Sequence, residues 1–212
     1  SAFIKIGQLL SARPDVLPSG WVVELANLQD KVPPFSFLTA RQLLKQELDE
    51  KFFDIYDLES EPIGAASLAQ VHLAKLKNGR KIVLKIQRPG LEKVFRLDLE
   101  IMQQVAFVLQ KHPRWSKGRD WVGIAKETKK VLLKELDFSV EAQYAARFKQ
   151  QFLDTENIKV PSVIWELSTK KILCLDYLPG IKVNDKQSLI DSNINPTTIA
   201  EIGAASYLKQ LV

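Results

Sequence analysis

Apolar residues along this chain change their spacing several times, and each change marks a different kind of element. Phe3, Ile4, Ile6, Leu9 and Leu10 recur at helical intervals over residues 2–12, a run that Arg13-Pro14 ends. A second short helix is expected from Trp21 to Gln29, stopped by Val32-Pro33-Pro34. Thr39 followed by Gln42 has the spacing of a capping box, and Leu43, Leu44 and Leu48 continue it as a third helix. The period then falls to two. Gln70 to Leu76 alternates around Val71, Leu73 and Leu76, and Ile82 to Ile86 is a second β-rich run. Between them stands Lys77-Asn78-Gly79-Arg80, where Asn-Gly favours positive φ at both central positions of a hairpin turn. Residues 53–87 therefore read as an antiparallel sheet segment.

Arg88-Pro89-Gly90 stops the strand, and helical spacing returns from Leu91 to Leu109, with Leu97, Ile101, Val105 and Val108 marking one face. After a Trp- and Lys-rich connection from Pro113 to Asp120, one long amphipathic helix is expected from about Trp121 to Phe152. Strand texture resumes over 158–175, in Val163-Ile164-Trp165 and Ile172 to Leu175, with Ser168 to Lys171 between them. Tyr177 to Gly180 is a connector, and a last helix begins at Asn195-Pro196 and runs to Val212. The class is α+β. Three regions follow: a helical extension at 1–52, a sheet-bearing lobe at 53–178 with an inserted helix near 89–111, and the start of a helical lobe at 179–212.

Composition narrows the function. The 212 residues are 46% hydrophobic and 26% charged, enough for a core and an ordinary polar surface. Thirty Lys and Arg against 25 Asp and Glu leave a net charge of +5. That excess suits an anionic ligand or an anionic membrane face, and is too dilute for a nucleic-acid partner. Cys174 stands alone in an apolar run, which excludes a disulfide framework and fits a buried strand residue in a reducing compartment. His72 and His112 have no ligand-spaced partners, so no metal centre is expected on them. No stretch nears the ~20 apolar residues that span a bilayer. The chain opens in a helical pattern with no initiator Met and reads as an excised piece.

Candidate chemistry centres on Lys85, inside the apolar strand Lys81-Ile82-Val83-Leu84-Lys85-Ile86. Taken alone, that lysine is best read as snorkelling to water. It follows the small-residue stretch Gly64-Ala65-Ala66-Ser67 by about twenty residues, with a strand and a turn between. Small loop, strand, turn and lysine strand is the order of a kinase nucleotide lobe, where the loop backbone approaches phosphates and the lysine supplies charge. Asp137 and Glu141, four apart on the expected long helix, border the apolar residues Phe138, Ala142, Ala145 and Phe148. Two such carboxylates want a cation, which Lys85 or a bound metal could supply. A solvated acidic edge paired with Lys130 and Lys134 accounts for the spacing equally well.

The motifs together resemble those of the ABC1/UbiB (AarF, ADCK) family of atypical kinase-like proteins. Lys5-Ile6-Gly7-Gln8 resembles its KxGQ motif, and Gly64 to His72 its alanine-rich loop, with Gly64 where many relatives carry alanine. Val83 to Gly90 resembles the lysine strand, Glu135-Leu136-Asp137 the ExD motif, and Glu141 falls at the glutamate that pairs with that lysine.

The resemblance implies a kinase-like N-lobe, an antiparallel sheet with an αC-type helix, plus added helices and the beginning of a helical C-lobe. It implies ATP or ADP with Mg²⁺ as cofactors. Gly64, Ala65, Ala66, Ser67 and Lys85 would lie at the phosphates, and Asp176 to Leu178 would form the adenine hinge, with Leu175 near the gatekeeper position. Lys85, Glu141, Glu135 and Asp137 would be the catalytic set, and no metal ligand is assigned within the chain. Lys5, Gly7 and Gln8 would lie on a helix across the active-site mouth, facing Glu135 and restraining protein phosphorylation. No His-x-Asp followed by Asn and no Asp-Phe-Gly occurs in the sequence, so the chain is expected to stop short of the catalytic loop. Family members support prenyl-quinone biosynthesis at membranes. That implies an intracellular protein peripheral to a bacterial inner membrane or to a mitochondrion or plastid, with membrane lipids, quinone precursors and lipid-biosynthesis enzymes as partners. Two other readings are a nucleotide-sensing scaffold and a membrane-surface module built on Arg114, Trp115 and Lys117.

Overall fold

A computed structural model of the chain describes residues 2–11, 19–26 and 32–210. The expected end of the first helix at Arg13-Pro14, the tail of the second at 27–29, and Val212 lie outside them. Five antiparallel strands form one sheet: β1 (Ile55–Leu58), β2 (Gly64–Ala65), β3 (Ala69–Leu76), β4 (Lys81–Gln87) and β5 (Ile172–Asp176). The spatial order is β1-β3-β4-β5, with β2 pairing to β3 beyond the end of β1.

Alternation in β4 sends Ile82, Leu84 and Ile86 to one side of the sheet, where they pack with Cys174 and Ile172 of β5. Helix α3 (Phe37–Leu48) covers this side with Ala40, Leu44 and Leu48. Gln70 and His72 are buried on it too, among the apolar residues. Gln70 Oε1 accepts from the Phe35 amide at 2.9 Å, and its Nε2 meets His72 Nε2 at 2.8 Å. His72 Nδ1 lies 2.8 Å from the Glu59 carbonyl, which can only accept. So Nδ1 carries the ring hydrogen and Nε2 accepts from Gln70.

The opposite side holds Ala69 and Leu173, covered by Phe138 and Ala142 of α7 (Phe138–Gln151). A separate core joins α1 (Ala2–Ser11), α4 (Leu91–Lys111) and α6 (Trp121–Lys134), through Ala2, Leu91, Phe95, Leu99 and Leu132. Short helices α2 (Ser19–Ala26), α5 (Pro113–Ser116) and α8 (Lys186–Asp191) fill connections, and α9 (Pro196–Lys209) is capped by Asn195 as its Asn-Pro start suggests.

Several local expectations are corrected. The cap of α3 is Ser36, whose Oγ accepts from the Thr39 amide, so Thr39 is inside the helix it was expected to open. At the Asn-Gly turn only Gly79 has positive φ, at 84°. Its amide donates to the Leu76 carbonyl and the Leu76 amide donates to the Arg80 carbonyl, a three-residue loop with a bulge rather than a two-residue turn. Val163 makes one bridge to Leu175, and Trp165–Leu167 is a single 3-10 turn instead of a strand.

The long helix expected over 121–152 is two helices. Past Lys134 the amides of Leu136 and Asp137 bond back only three residues, and the Phe138 amide leaves the ladder for the Lys170 carbonyl at 2.9 Å. Asp137 then caps α7, its carboxylate accepting from the amide and hydroxyl of Ser139. The apolar stripe on α4 is also turned around. Leu97, Ile101, Val105 and Val108 are exposed, while Leu91, Phe95, Leu99 and Ala106 form the buried face.

Candidate nucleotide-binding site

Strand register aligns the small-residue segment with the lysine. Gly64 pairs with Val71, Val71 with Lys85, and Lys85 with Leu173, one row across four strands on the α7 side. Neighbouring strands lie ~4.8 Å apart, so Gly64 and Lys85 are about 10 Å apart along the row. A Cβ built on Gly64 meets nothing within 4 Å, so space lies open beside it. The Ala66 amide donates to the Ala69 carbonyl, which closes the β2–β3 turn tightly, and Ser67 is nearly buried in it.

Helix α7 meets this row because Phe138 and Ala142 are drawn onto the sheet, which leaves Glu141 at its edge. Lys85 Nζ donates to both carboxylate oxygens of Glu141, at 2.7 and 2.6 Å. The same ammonium lies 4.8 Å from the centre of the Phe138 ring, within cation–π range. Phe138 was legible only as a buried neighbour; its contact with Lys85 depends on the break that starts α7 there.

Glu135, in the turn between α6 and α7, pairs with Lys5 of α1 at 3.0 Å. Gly7 is buried and Gln8 half-buried on the same helix. The three acids thus have different partners: Lys5 for Glu135, Ser139 for Asp137, and Lys85 for Glu141. Neither Asp137 nor Glu141 pairs with Lys130 or Lys134 among the described residues. A recess of about 420 Å³ opens between these acids, walled by Val131, Val140 and Tyr144. Among the described residues no group of three or more His, Cys, Asp and Glu could hold a metal ion.

Asp176 ends β5 on the α3 side, away from Lys85. Its carboxylate accepts from Arg80 Nε at 2.6 Å, which holds it below the usual carboxylate range, with Ser162 assisting. The amides of Asp176 and Tyr177 donate to Ser162 and Lys81 carbonyls, whereas the Leu178 amide has no backbone acceptor among the described residues. Leu175 shares the Lys85 side, opposite Val83.

One residue of the site entered the sequence reading only within the lysine-strand segment and as the end of the strand, with no role of its own. Arg88 Nε donates to the Ala66 carbonyl at 2.8 Å, and Nη2 to the Pro33 carbonyl at 2.8 Å. Its guanidinium also lies 5.8 Å from the Phe35 ring. Arg88 ties the small-residue turn to the segment ahead of α3.

Residues 27–212 match the sequence model of the ABC1 atypical kinase-like domain. The chain belongs to that family. Across 99% of its length it is 42% identical to an uncharacterised protein of Synechocystis sp., of which it covers 36%. It is 44% identical to Protein ACTIVITY OF BC1 COMPLEX KINASE 8, chloroplastic, of Arabidopsis thaliana, covering 28% of that protein. It is 34% identical to the probable protein kinase UbiB of Marinobacter nauticus, covering 38%. The chain therefore spans about a third of the length of these curated relatives. Among solved structures, the Rv3197–erythromycin complex from Mycobacterium tuberculosis aligns with a TM-score of 0.63 and 27% identity, over 85% of this chain and 45% of that one. The mixed helix-and-antiparallel-sheet architecture is that of a kinase-like N-lobe with added helices. The relatives named here are chloroplastic or bacterial, and no helix of the described residues is long and apolar enough to cross a membrane.

Proposed function

We propose that this ABC1-family chain is the nucleotide-binding lobe of an atypical kinase or ATPase. The observation that carries the reading is the Lys85–Glu141 pair, which sits in one strand row with Gly64. Lys85 would meet the α- and β-phosphates of ATP or ADP. Glu141 and the Phe138 ring hold its ammonium in place before any ligand arrives. The turn Gly64–Ser67 offers backbone and open space beside that ammonium, and Arg88 fixes the turn from behind. Adenine would lie against Leu175, with the Leu178 amide free to donate to it.

Phosphate-bound Mg²⁺ would supply charge neutralisation in phosphoryl transfer. The described residues offer no ligand set for it, since Glu135, Asp137 and Glu141 each already have a partner. The Lys5–Glu135 pair would tie α1 to the turn before α7 and restrain access of a protein substrate. By family resemblance the whole protein would support prenyl-quinone biosynthesis. Its partners would be membrane lipids, quinone precursors and lipid-biosynthesis enzymes, and its place would be peripheral to a bacterial or organellar membrane. The engagement of all three acids also suits a second reading, a scaffold in which nucleotide acts as a signal without turnover.

Thermal unfolding with ADP or ATP and Mg²⁺ tests the reading, on the protein and on Lys85→Ala. At a hundredfold excess over Kd, binding adds about 2.7 kcal/mol, a rise of about 5–10 °C for a chain of this size. No rise in either protein refutes a nucleotide lobe. A rise without ATP hydrolysis favours the scaffold.

A further inference from the structure

Resting on the nucleotide-lobe reading, we propose that Arg88 is a positioning residue, which holds the Ala66 carbonyl and so aims the Ser67 amide at the nucleotide's phosphates. Ser67 is only 8% exposed, yet its amide has no hydrogen-bond acceptor among the described residues. The Leu68 amide has none either, whereas the amides of Ile63 and Ala66 are taken by the Val71 and Ala69 carbonyls. Buried backbone N–H groups without a partner are rare, because each costs about as much as a lost hydrogen bond. Two successive open donors in a turn form the kind of concavity that holds an anion.

The direction of the Ser67 amide follows from Arg88. Residue 88 keeps the parity of Ile82, Leu84 and Ile86, and its guanidinium lies with them on the α3 side, 5.8 Å from the Phe35 ring. Its Nε donates to the Ala66 carbonyl at 2.8 Å, which draws that oxygen to the same side. In a trans peptide the carbonyl and the next N–H point opposite ways. The Ser67 N–H is thereby turned to the other side of the sheet, where Lys85 stands.

Both anchors of this link are stiff. Arg88 precedes Pro89, which keeps its backbone extended, and its amide donates to the Leu68 carbonyl at 2.9 Å. Val32 and Pro33 each precede a proline as well, and Arg88 Nη2 donates to their carbonyls at 3.4 and 2.8 Å. Gln70 fixes the next part of that segment, its side-chain amide meeting the Phe35 N–H at 2.9 Å and the Phe35 carbonyl at 3.3 Å. A planar guanidinium spans carbonyls held on two separate segments. A lysine ammonium keeps the charge but loses the fork.

Calorimetric titration with ADP and with adenosine tests the role. The wild-type chain should bind ADP more tightly than adenosine. Arg88→Lys should bind ADP about tenfold more weakly, the loss of one hydrogen bond to a charged group, with its adenosine affinity unchanged. In isotope-labelled wild type, the nuclear resonance of the Ser67 amide proton should move downfield with ADP and stay in place with adenosine. The Arg88 Nε–H should exchange slowly with either ligand. Unchanged ADP affinity in Arg88→Lys overturns the positioning role, and so does an equal loss for both ligands, which would make Arg88 a structural strut. A Ser67 amide unmoved by ADP, or a fast-exchanging Arg88 Nε–H, overturns it too, and these wild-type signals decide if Arg88→Lys does not fold. All four outcomes leave the nucleotide lobe standing. No binding of ADP by the wild type refutes that lobe and the proposal with it.

Discussion

Lys85 Nζ donates to both carboxylate oxygens of Glu141, which lies 56 residues later on a different element. The pair is nevertheless half open to solvent, at 30% and 47% side-chain exposure. Ion pairs this exposed contribute at most about 1 kcal/mol to folding. Glu141→Gln should therefore cost less than about 1 kcal/mol in urea unfolding, yet remove most of the nucleotide-induced rise in melting temperature. A large loss of intrinsic stability would instead make the pair a structural strut.

Gly64 faces open space and its φ is not positive, so a methyl group fits there without strain. Gly64→Ala should leave stability unchanged or raise it by about 0.4–1 kcal/mol, through a less flexible unfolded chain. Chemical denaturation decides this, and nucleotide titration of the same variant then reports on the phosphate turn alone.

Gln70 is the polar centre of an otherwise apolar sheet face. Gln70→Leu would fill the space but strand the Phe35 amide and His72 Nε2 without partners. The expected cost is about 2–3 kcal/mol, read as a lower denaturation midpoint. A neutral outcome would mean that water replaces the amide.

Burial pushes the Cys174 thiol up to about 12, the neighbouring Arg80 opposing this only in part. The reactive thiolate is then scarce and inaccessible at neutral pH. An aromatic disulfide reagent should leave the native protein unlabelled and react fully in guanidinium. Rapid labelling of the native protein would show that β5 opens.

Arg80 holds the Asp176 carboxyl below its ordinary value. The folded protein thus binds that proton more weakly than the unfolded chain does. The stabilisation is complete above the unfolded pKa of about 3.9 and is lost as pH falls through the lower folded value. Because Arg80 is 45% exposed, its size should stay below about 1 kcal/mol. In unfolding midpoints measured across this acid range, Asp176→Asn should flatten the pH dependence. An unchanged slope would mean that the pair does not persist in solution.

Much of the lobe was legible in the residues. The β3–β4 hairpin follows from alternation on both sides of Asn78-Gly79, because strand period and turn chemistry are local. Lys85 stood out because a charge in an apolar strand needs a partner. The capping spacing at Thr39 was misleading because Ser36, three residues earlier, offers an oxygen of the same kind. Spacing put Asp137 and Glu141 on one helix, whereas Asp137 is a cap and Glu141 belongs to the turn above it. No local signal revealed Arg88, since carbonyls distant in sequence accept its hydrogen bonds.

The sequence by itself determined the β3–β4 hairpin, and that Lys85 lies in an apolar strand after a small-residue turn. Periodicity and turn propensity are properties of neighbouring residues. The tertiary structure decided the break at 135–137, where a carbonyl of Lys170 takes the Phe138 amide from the helix. It also decided which apolar side of α4 faces inward. Both sides are hydrophobic, and only the positions of α1 and α6 select Phe95 and Leu99 over Leu97 and Ile101 for the core.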